Sequence, residues 1–419
     1  MKTVQKDRVA ALCVVLVLGG LIVTQGSQAA NWEFVPDVDV AASRLDNPRL
    51  DPVNLQGTSN RMVLDGRLRA QSYGERGFAY IEPRFRADVY NDNLNSDLDS
   101  EDLFLLAAGQ YSWSSALVGA RFNYSQVSIL RSEILEAIPD DPDIEDPEEV
   151  EAGELRGLNQ DRSRLSVVPF AQFDISERSS FRFSGRFSDV SYSGPPIGNR
   201  SDFQSSEISL GLNRRVDERT RVTARVFATS YEADLFANST DSIGVEGLFT
   251  RPLSETWTFS LSAGVQRNEY TFVDGANIVD NADTNPTYSL SFRKRAEQTT
   301  WNIDLRRRLS PNGAGFVVVR DELRLFANRQ LTPRLTGSAG LIAFATGTVG
   351  DIRQGADRDD FRVETRIEWA LTQRFFINGG INYTVREFTN AGTDADSNEL
   401  YVGVTYRGLA RRGPGSRRR

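Results

Sequence analysis

No histidine occurs anywhere in this chain. That removes Ser–His and Asp–His hydrolysis, histidine general-base catalysis and histidine-ligated metal from the functions open to it. The one cysteine, Cys13, lies in an N-terminal segment expected to be cleaved off, so the remainder has neither disulfides nor thiol chemistry. Lysine is also scarce. After residue 30 only Lys294 is left, and nearly all positive charge is arginine. Base composition of the genome is one explanation; the other is functional, since arginine binds carboxylates and phosphates through a rigid, always-charged fork. Beyond the N-terminal segment long apolar runs are missing too, and the mean hydropathy is −0.39. A helical membrane protein is excluded, but a barrel is not, because a barrel hides its apolar residues in alternation. The net charge of −8 with no dominant basic face argues against a nucleic-acid partner. No Gly-rich loop of the phosphate-cradling kind follows a strand and opens a helix.

The N-terminus reads as a secretory signal over residues 1–30. Lys2, Lys6 and Arg8 precede an apolar run from Val9 to Val23, shorter than the roughly 20 residues a spanning helix needs. Ser27-Gln28-Ala29-Ala30 then offers small residues for cleavage. Removing the segment takes away three basic residues and one acidic one, so the rest of the chain is the more acidic.

What fills residues 31–407 is a rhythm of about eighteen short segments in which every second residue is apolar. They run from Trp32–Leu45 and Met62–Ser72 to Thr287–Ala296, Phe361–Leu371 and Glu399–Arg407, each long enough for a tilted membrane strand of about 9–11 residues. Connections alternate between tight turns, such as Ser114-Ser115 and Glu297-Gln298, and longer polar stretches such as 91–100, 131–163, 273–286 and 345–359. The pattern predicts an all-β fold, a transmembrane antiparallel up-and-down β-barrel in the outer membrane of a Gram-negative bacterium. Short turns then fall on the periplasmic side, and an even strand count puts both termini there. Closure is required, because an open edge in lipid leaves backbone groups unpaired. A soluble β-sandwich is the rival; it explains neither the signal nor the alternation of connections.

Parity sorts the side chains. In one strand Phe361, Val363, Ile367 and Trp369 share a face, and Arg362, Glu364, Arg366 and Glu368 share the other. A slip of one residue would put those four charges into lipid, so the register is strongly specified. The same sorting places Arg84 and Arg86, Arg182 and Arg186, Arg306 and Arg324 toward the lumen. Two readings of this wall compete. In one, arginines and carboxylates neutralise each other and stiffen it. In the other, arginines without carboxylate partners, such as Arg182, Arg186, Arg221, Arg225, Arg293 and Arg295, draw an anionic solute along the pore.

Between Glu133 and Glu154 lie eleven acidic residues and no basic ones, broken by Pro139, Pro142 and Pro147. Such a run packs no core. It is a solvated surface loop, a gate folded into the pore, or a calcium ligand set. As a gate, Glu136, Asp140, Asp141, Asp143, Glu145, Asp146, Glu148 and Glu149 would meet the wall arginines. As a calcium site it lacks the glycine that the usual loop places sixth, so no metal or other cofactor is expected.

Turn segments such as Gly211 to Thr220 (GLNRRVDERT), Leu253 to Thr258 (LSETWT) and Arg329 to Thr336 (RQLTPRLT) resemble those of the outer-membrane proteins known as beta-barrel porin type 2. In each a strand ends, a short polar turn follows and the next strand begins on Thr or an aromatic residue. Alginate-export porins are similar in strand count and arginine-rich lumen, and general porins in placing an acidic constriction in the third outer loop. The resemblance implies a role in passing or anchoring surface polysaccharide; with the arginine wall and the missing histidine, the expectation is a monomeric, non-enzymatic conduit for a secreted, acidic exopolysaccharide. Its partners would be outer-membrane lipid and lipopolysaccharide, the anionic polysaccharide and periplasmic export machinery. A diffusion porin for small solutes and a plugged structural barrel are the alternatives. The chain ends in a basic tail, residues 408–419, with Arg411-Arg412 and Arg417-Arg418-Arg419.

Overall fold

A computed structural model describes residues 32–50, 57–91, 95, 98–129, 160–193, 201–234, 238–274, 277–311, 317–348, 358–388 and 393–408. The segment expected to be a signal, the acidic run expected to supply a gate, and the tail beyond Gly408 lie outside the described residues.

The described residues form one closed antiparallel sheet of 18 strands. They are β1 (Trp32–Asp46), β2 (Thr58–Tyr73), β3 (Gly77–Tyr90), β4 (Ser100–Ser112), β5 (Ala116–Ser128) and β6 (Asp161–Ser176). Next come β7 (Ser179–Tyr192), β8 (Phe203–Arg215), β9 (Arg221–Ala233), β10 (Asn238–Pro252), β11 (Trp257–Asp274) and β12 (Asn277–Ala296). The last six are β13 (Thr299–Pro311), β14 (Val317–Thr332), β15 (Leu335–Thr348), β16 (Arg358–Ala370), β17 (Phe375–Phe388) and β18 (Thr393–Arg407). Each strand pairs with its neighbours in sequence, and β1 closes the ring on β18 from Asp37↔Arg407 to Leu45↔Glu399. One end carries only tight turns together with both ends of the barrel chain; the other carries the longest connections, with β11 and β12 joined there by only two residues.

Period-two patterning has turned the molecule inside out relative to a soluble domain. Large apolar side chains are exposed on the outer face in strand after strand: Phe34 and Val40, Leu64, Phe85, Leu210, Val226, Val245, Ile303, Ile367, Val402. Buried polar and charged residues, among them Asp102, Asn268, Glu322 and Arg386, lie on the opposite parity. This is a lipid-facing wall around a wet interior.

The tight turns are built by side chains that accept from their own backbone. In the β8–β9 turn Asp217 Oδ1 accepts the N–H groups of Arg219 and Thr220, each at 2.7 Å. Those hydrogen bonds hold the Asp217 carboxyl below the usual carboxylate range. A depressed pKa favours the charged form in the folded chain, so its contribution is present above the ordinary carboxylate range and is lost as pH falls through it. Asp217→Asn is expected to lower the urea midpoint at neutral pH, with the difference from the parent chain shrinking below pH 4 or so. A difference that stays constant with pH would mean the charge is not what holds the turn.

The stretch 273–286, expected as an outer loop, is instead mostly strand. β12 starts at Asn277 and pairs with β11 from Asp274↔Asn277 onward without a break. Asp280, Asn281, Asp283, Asn285 and Pro286 are residues that strands disfavour. They are held there by the β11 ladder, and Thr271 Oγ1 donates to Asp280 at 2.8 Å.

Three prolines decide where neighbouring strands part. Backbone groups of successive strand residues point alternately to the two neighbours. Gly74 N–H donates to Gly77 O, Asp174 N–H to Ser115 O and Arg295 N–H to Thr256 O. Counting from these bonds, the missing donor of Pro83 faces β2, that of Pro169 faces β7 and that of Pro286 faces β13. Each coincides with an interruption. The β2–β3 ladder jumps from Arg67↔Arg84 to Ala70↔Ile81, and the β6–β7 ladder from Val167↔Phe187 to Phe170↔Ser184. The β12–β13 ladder stops altogether at Tyr288↔Arg307, two residues short of Pro286. Past that row β12 continues with β11, and β13 leaves with β14.

Candidate functional site: the barrel lumen

All fourteen wall residues singled out by parity lie on the face opposite the exposed apolar side chains: Arg84 and Arg86 on β3, Arg182 and Arg186 on β7, Arg221 and Arg225 on β9. Arg293 and Arg295 are on β12, Arg306 on β13, Arg324 on β14, and Arg362, Glu364, Arg366 and Glu368 on β16. Those on β3, β13, β14 and β16 fall into two sectors of the wall, while those on β7, β9 and β12 lie outside both.

The first sector spans β16–β18 and β1–β3, across the closure seam, and encloses a cavity of about 280 Å³. Its wall is a nearly balanced ladder. Arg84 grips Asp65 with two nitrogens, Nε to Oδ1 at 2.9 Å and Nη2 to Oδ2 at 2.6 Å. Arg86 meets Asp88 at 2.9 Å, and Arg61 lies between Asp88 and Glu399. Arg67 donates to Asp37 at 3.1 Å, and Arg407 takes both oxygens of Glu368, at 2.9 and 2.5 Å. Arg362 is 3.8 Å from Glu364, and Arg366 3.8 Å from Glu368. Paired charges reach across the seam, so the last strands are tied to the first by the lumen as well as by the ladder.

The second sector, β13–β17, is unbalanced. Glu322, fully buried, is shared by three arginines: Arg306 at 2.6 Å, Arg320 at 3.1 Å, and Arg324. Arg358 and Arg386 converge on Asp360, the latter at 2.8 Å. Arg320 and Arg358 flank the Phe344 ring, 4.0 and 5.3 Å from its centroid. Arg308 and Arg320 stand directly opposite each other in the ladder, a like-charge pairing that costs stability. The buried Arg324 Nη2 and Arg362 Nε have no hydrogen-bond partner among the described residues. Sequence reasoning passed over Arg320, Glu322, Arg358, Asp360 and Arg386, although Arg320 and Glu322 share the parity of Arg324 and could have been read with it.

The expectation that Arg225 lacks a carboxylate is corrected: it pairs with Glu207 and, at 3.5 Å, with Glu246, which the register sets directly opposite. Arg182 stacks over Phe170, 4.8 Å from its centroid, and Arg182, Arg186 and Arg295 each take part in further interactions.

Beyond the Pro286 break the facing ends of β13 and β14 turn into the lumen. Leu309, Val317 and Val319 share the parity of the lipid-facing Leu305 and Leu323. Yet Val319 and Leu309 pack with Tyr270 of β11. Val317 packs on Val190, Phe203, Tyr231 and Ala233 of β7–β9. Those partners sit on the inner wall, on strands that β14 does not pair with. Side chains built like lipid contacts can meet that wall only from inside the barrel. The other face of the β14 end is buried too, with Val318 and Arg320 each 1% exposed.

No family model matches the chain, and no curated protein sequence does either. Among solved structures it is similar to the outer membrane protein opdK from Pseudomonas aeruginosa, at 11% identity and a TM-score of 0.43 over 90% of this chain and 98% of that one. It is also similar to a BenF-like porin from Pseudomonas fluorescens Pf-5, at 13% identity and 0.45 over 91% and 98%. A third is Pseudomonas aeruginosa OccK2 (OpdF) in complex with glucuronate, at 12% and 0.46 over 91% and 100%. Likeness at this level transfers neither solute nor site residue.

Proposed function

We propose that this barrel is an outer-membrane channel that passes small solutes and favours anions, with both ends of the barrel chain on the periplasmic side. The observation that carries this reading is the arginine excess of the β13–β17 sector of the inner wall, in the same barrel as a cavity of small-molecule size lined by other strands and by part of β16 and β17. Arg306, Arg308, Arg320, Arg324, Arg358 and Arg386 gather there around Glu322 and Asp360. Fixed charge of one sign in a confined, low-dielectric path raises the local concentration of the opposite ion. The cavity, about 280 Å³, is at the lower end of small-molecule sites, which run from about 300 Å³ upward. The in-turned ends of β13 and β14 take up lumen space as well, which weighs against a passage as wide as a hydrated polysaccharide. A polysaccharide conduit therefore gives way to a small-solute channel as the preferred reading.

The test is the reversal potential of the refolded barrel in a planar bilayer under a KCl gradient, with and without residues 136–154. Anion preference is expected, falling about two- to threefold when Arg306 and Arg324 are both changed to Gln. Cation preference in both chains would overturn the reading.

A further inference from the structure

We propose that the cavity across the closure seam is a binding site for a small zwitterion, with its ammonium group on Asp39 and its acidic group on Arg67. The inference rests on the channel reading and names the solute class of that passage. Six carboxylates line the cavity. Five of them pair with an arginine, Glu364 the most loosely, at 3.8 Å from Arg362. Asp39 has no arginine among the described residues. Directly across the ladder it meets Asp65, a second carboxylate, and such like-charge pairing costs stability.

The Asp39 side chain is held in one position. Its Oδ2 accepts from Asn378 Nδ2 at 2.9 Å and from Thr405 Oγ1, and both donors are buried. Gly403 leaves room for this, because a Cβ there would come within 2.8 Å of Asn378 Oδ1. An asparagine at position 39 would accept the same two hydrogen bonds without repelling Asp65, so the charge is not what ties the seam. With Oδ2 engaged, Oδ1 has no partner among the described residues and is left to the cavity. Arg67 stands opposite Asp37, which puts it diagonally across the β1–β2 pair from Asp39. Only its Nη2 is engaged, on Asp37 at 3.1 Å, and 27% of the side chain is exposed. Diagonal neighbours on a sheet are about 7–8 Å apart, close to the span between the two ends of a short ω-amino acid. A hydroxyl would serve Asp39 no better than water does, whereas an ammonium adds a charge-assisted bond roughly twice as strong as a neutral one. A simple anion would meet Asp39, and a simple cation the arginines around it. A zwitterion meets neither repulsion.

The test compares γ-aminobutyrate with butyrate, the same molecule without its amine, by saturation-transfer NMR titration of the refolded barrel in detergent micelles. γ-Aminobutyrate is expected to bind about tenfold more tightly. Asp39→Asn should bring the ratio of the two Kd values to about one without weakening butyrate, and its urea midpoint should be no lower than that of the parent chain. Arg67→Gln should weaken both probes and keep the ratio. Equal binding of the two probes by the parent chain overturns this inference, as does a tenfold ratio that survives Asp39→Asn. The titration needs no conduction, so its outcome is separate from the reversal potential. Cation preference in the bilayer beside an Asp39-dependent ratio would overturn the anion channel and leave the zwitterion site in place.

Discussion

Glu322→Gln is expected to lower the unfolding free energy by about 3 kcal/mol, toward the lower end of the ~3–5 kcal/mol that follows from removing one partner of a buried ion pair. The carboxylate has no exposed surface and three arginines converge on it, Arg306 at 2.6 Å, Arg320 at 3.1 Å, and Arg324. Glutamine keeps the shape and one acceptor oxygen but none of the charge, so three cations are left crowded in a site with little water. Lumen water can reach part of this cluster, which is why the lower figure is the better expectation. The matched control is Glu269→Gln. Glu269 also pairs with an arginine, Arg267 at 3.2 Å, but both side chains are more than 60% exposed. Exposed pairs are worth about 0–1 kcal/mol. Urea midpoints followed by tryptophan fluorescence in phospholipid vesicles separate the two cases. If both variants shift by the same small amount, Glu322 is solvated and does not organise the sector. The Gln variant should also be the more anion-selective, since it removes a negative charge from an already positive wall.

Much of the fold was legible because a strand that faces lipid on one side and water on the other must alternate. In β16 the alternation of Phe361, Val363, Ile367 and Trp369 with Arg362, Glu364, Arg366 and Glu368 leaves one register only. The same rule assigned the wall arginines to the lumen. It is silent on partners, because Arg225 finds Glu246 through a cross-strand register that no single strand contains. The first half of β12 was illegible for a different reason. Its Asp, Asn and Pro residues spell a loop, and only the neighbouring β11 holds them extended. The facing ends of β13 and β14 show the limit most clearly. Leu309, Val317 and Val319 continue a lipid-facing pattern, and an apolar side chain has the same signature whether it meets acyl chains or the aromatic residues of an inner wall. Pro286 was the one visible signal, but its meaning depends on which neighbour its missing N–H would have faced. That is a fact of pairing, not of sequence.

The assignment of faces makes the second large prediction, which separates a lipid-facing wall from any soluble arrangement of the same strands. Val226, near the middle of β9, is 50% exposed on the outer face. Val226→Arg in vesicles should cost about 2–4 kcal/mol, the range for a cation at the midplane of a barrel's lipid face. The inward-facing comparison is Thr229→Arg, three residues along the same strand. Thr229 pairs with Glu207 of β8, so an arginine there enters a polar lumen beside a carboxylate and should change stability by no more than about 0.5 kcal/mol. Both substitutions place the same side chain on the same strand, so strand propensity and arginine's rotamer entropy cancel in the comparison, and only the medium differs. Reversible urea unfolding in vesicles, repeated in detergent micelles, measures it. The Val226 penalty should shrink in micelles, where the apolar layer is thinner and more easily wetted, while the Thr229 value stays put. Equal costs for the two variants would mean that neither face of β9 meets lipid, and the membrane reading would fall with them.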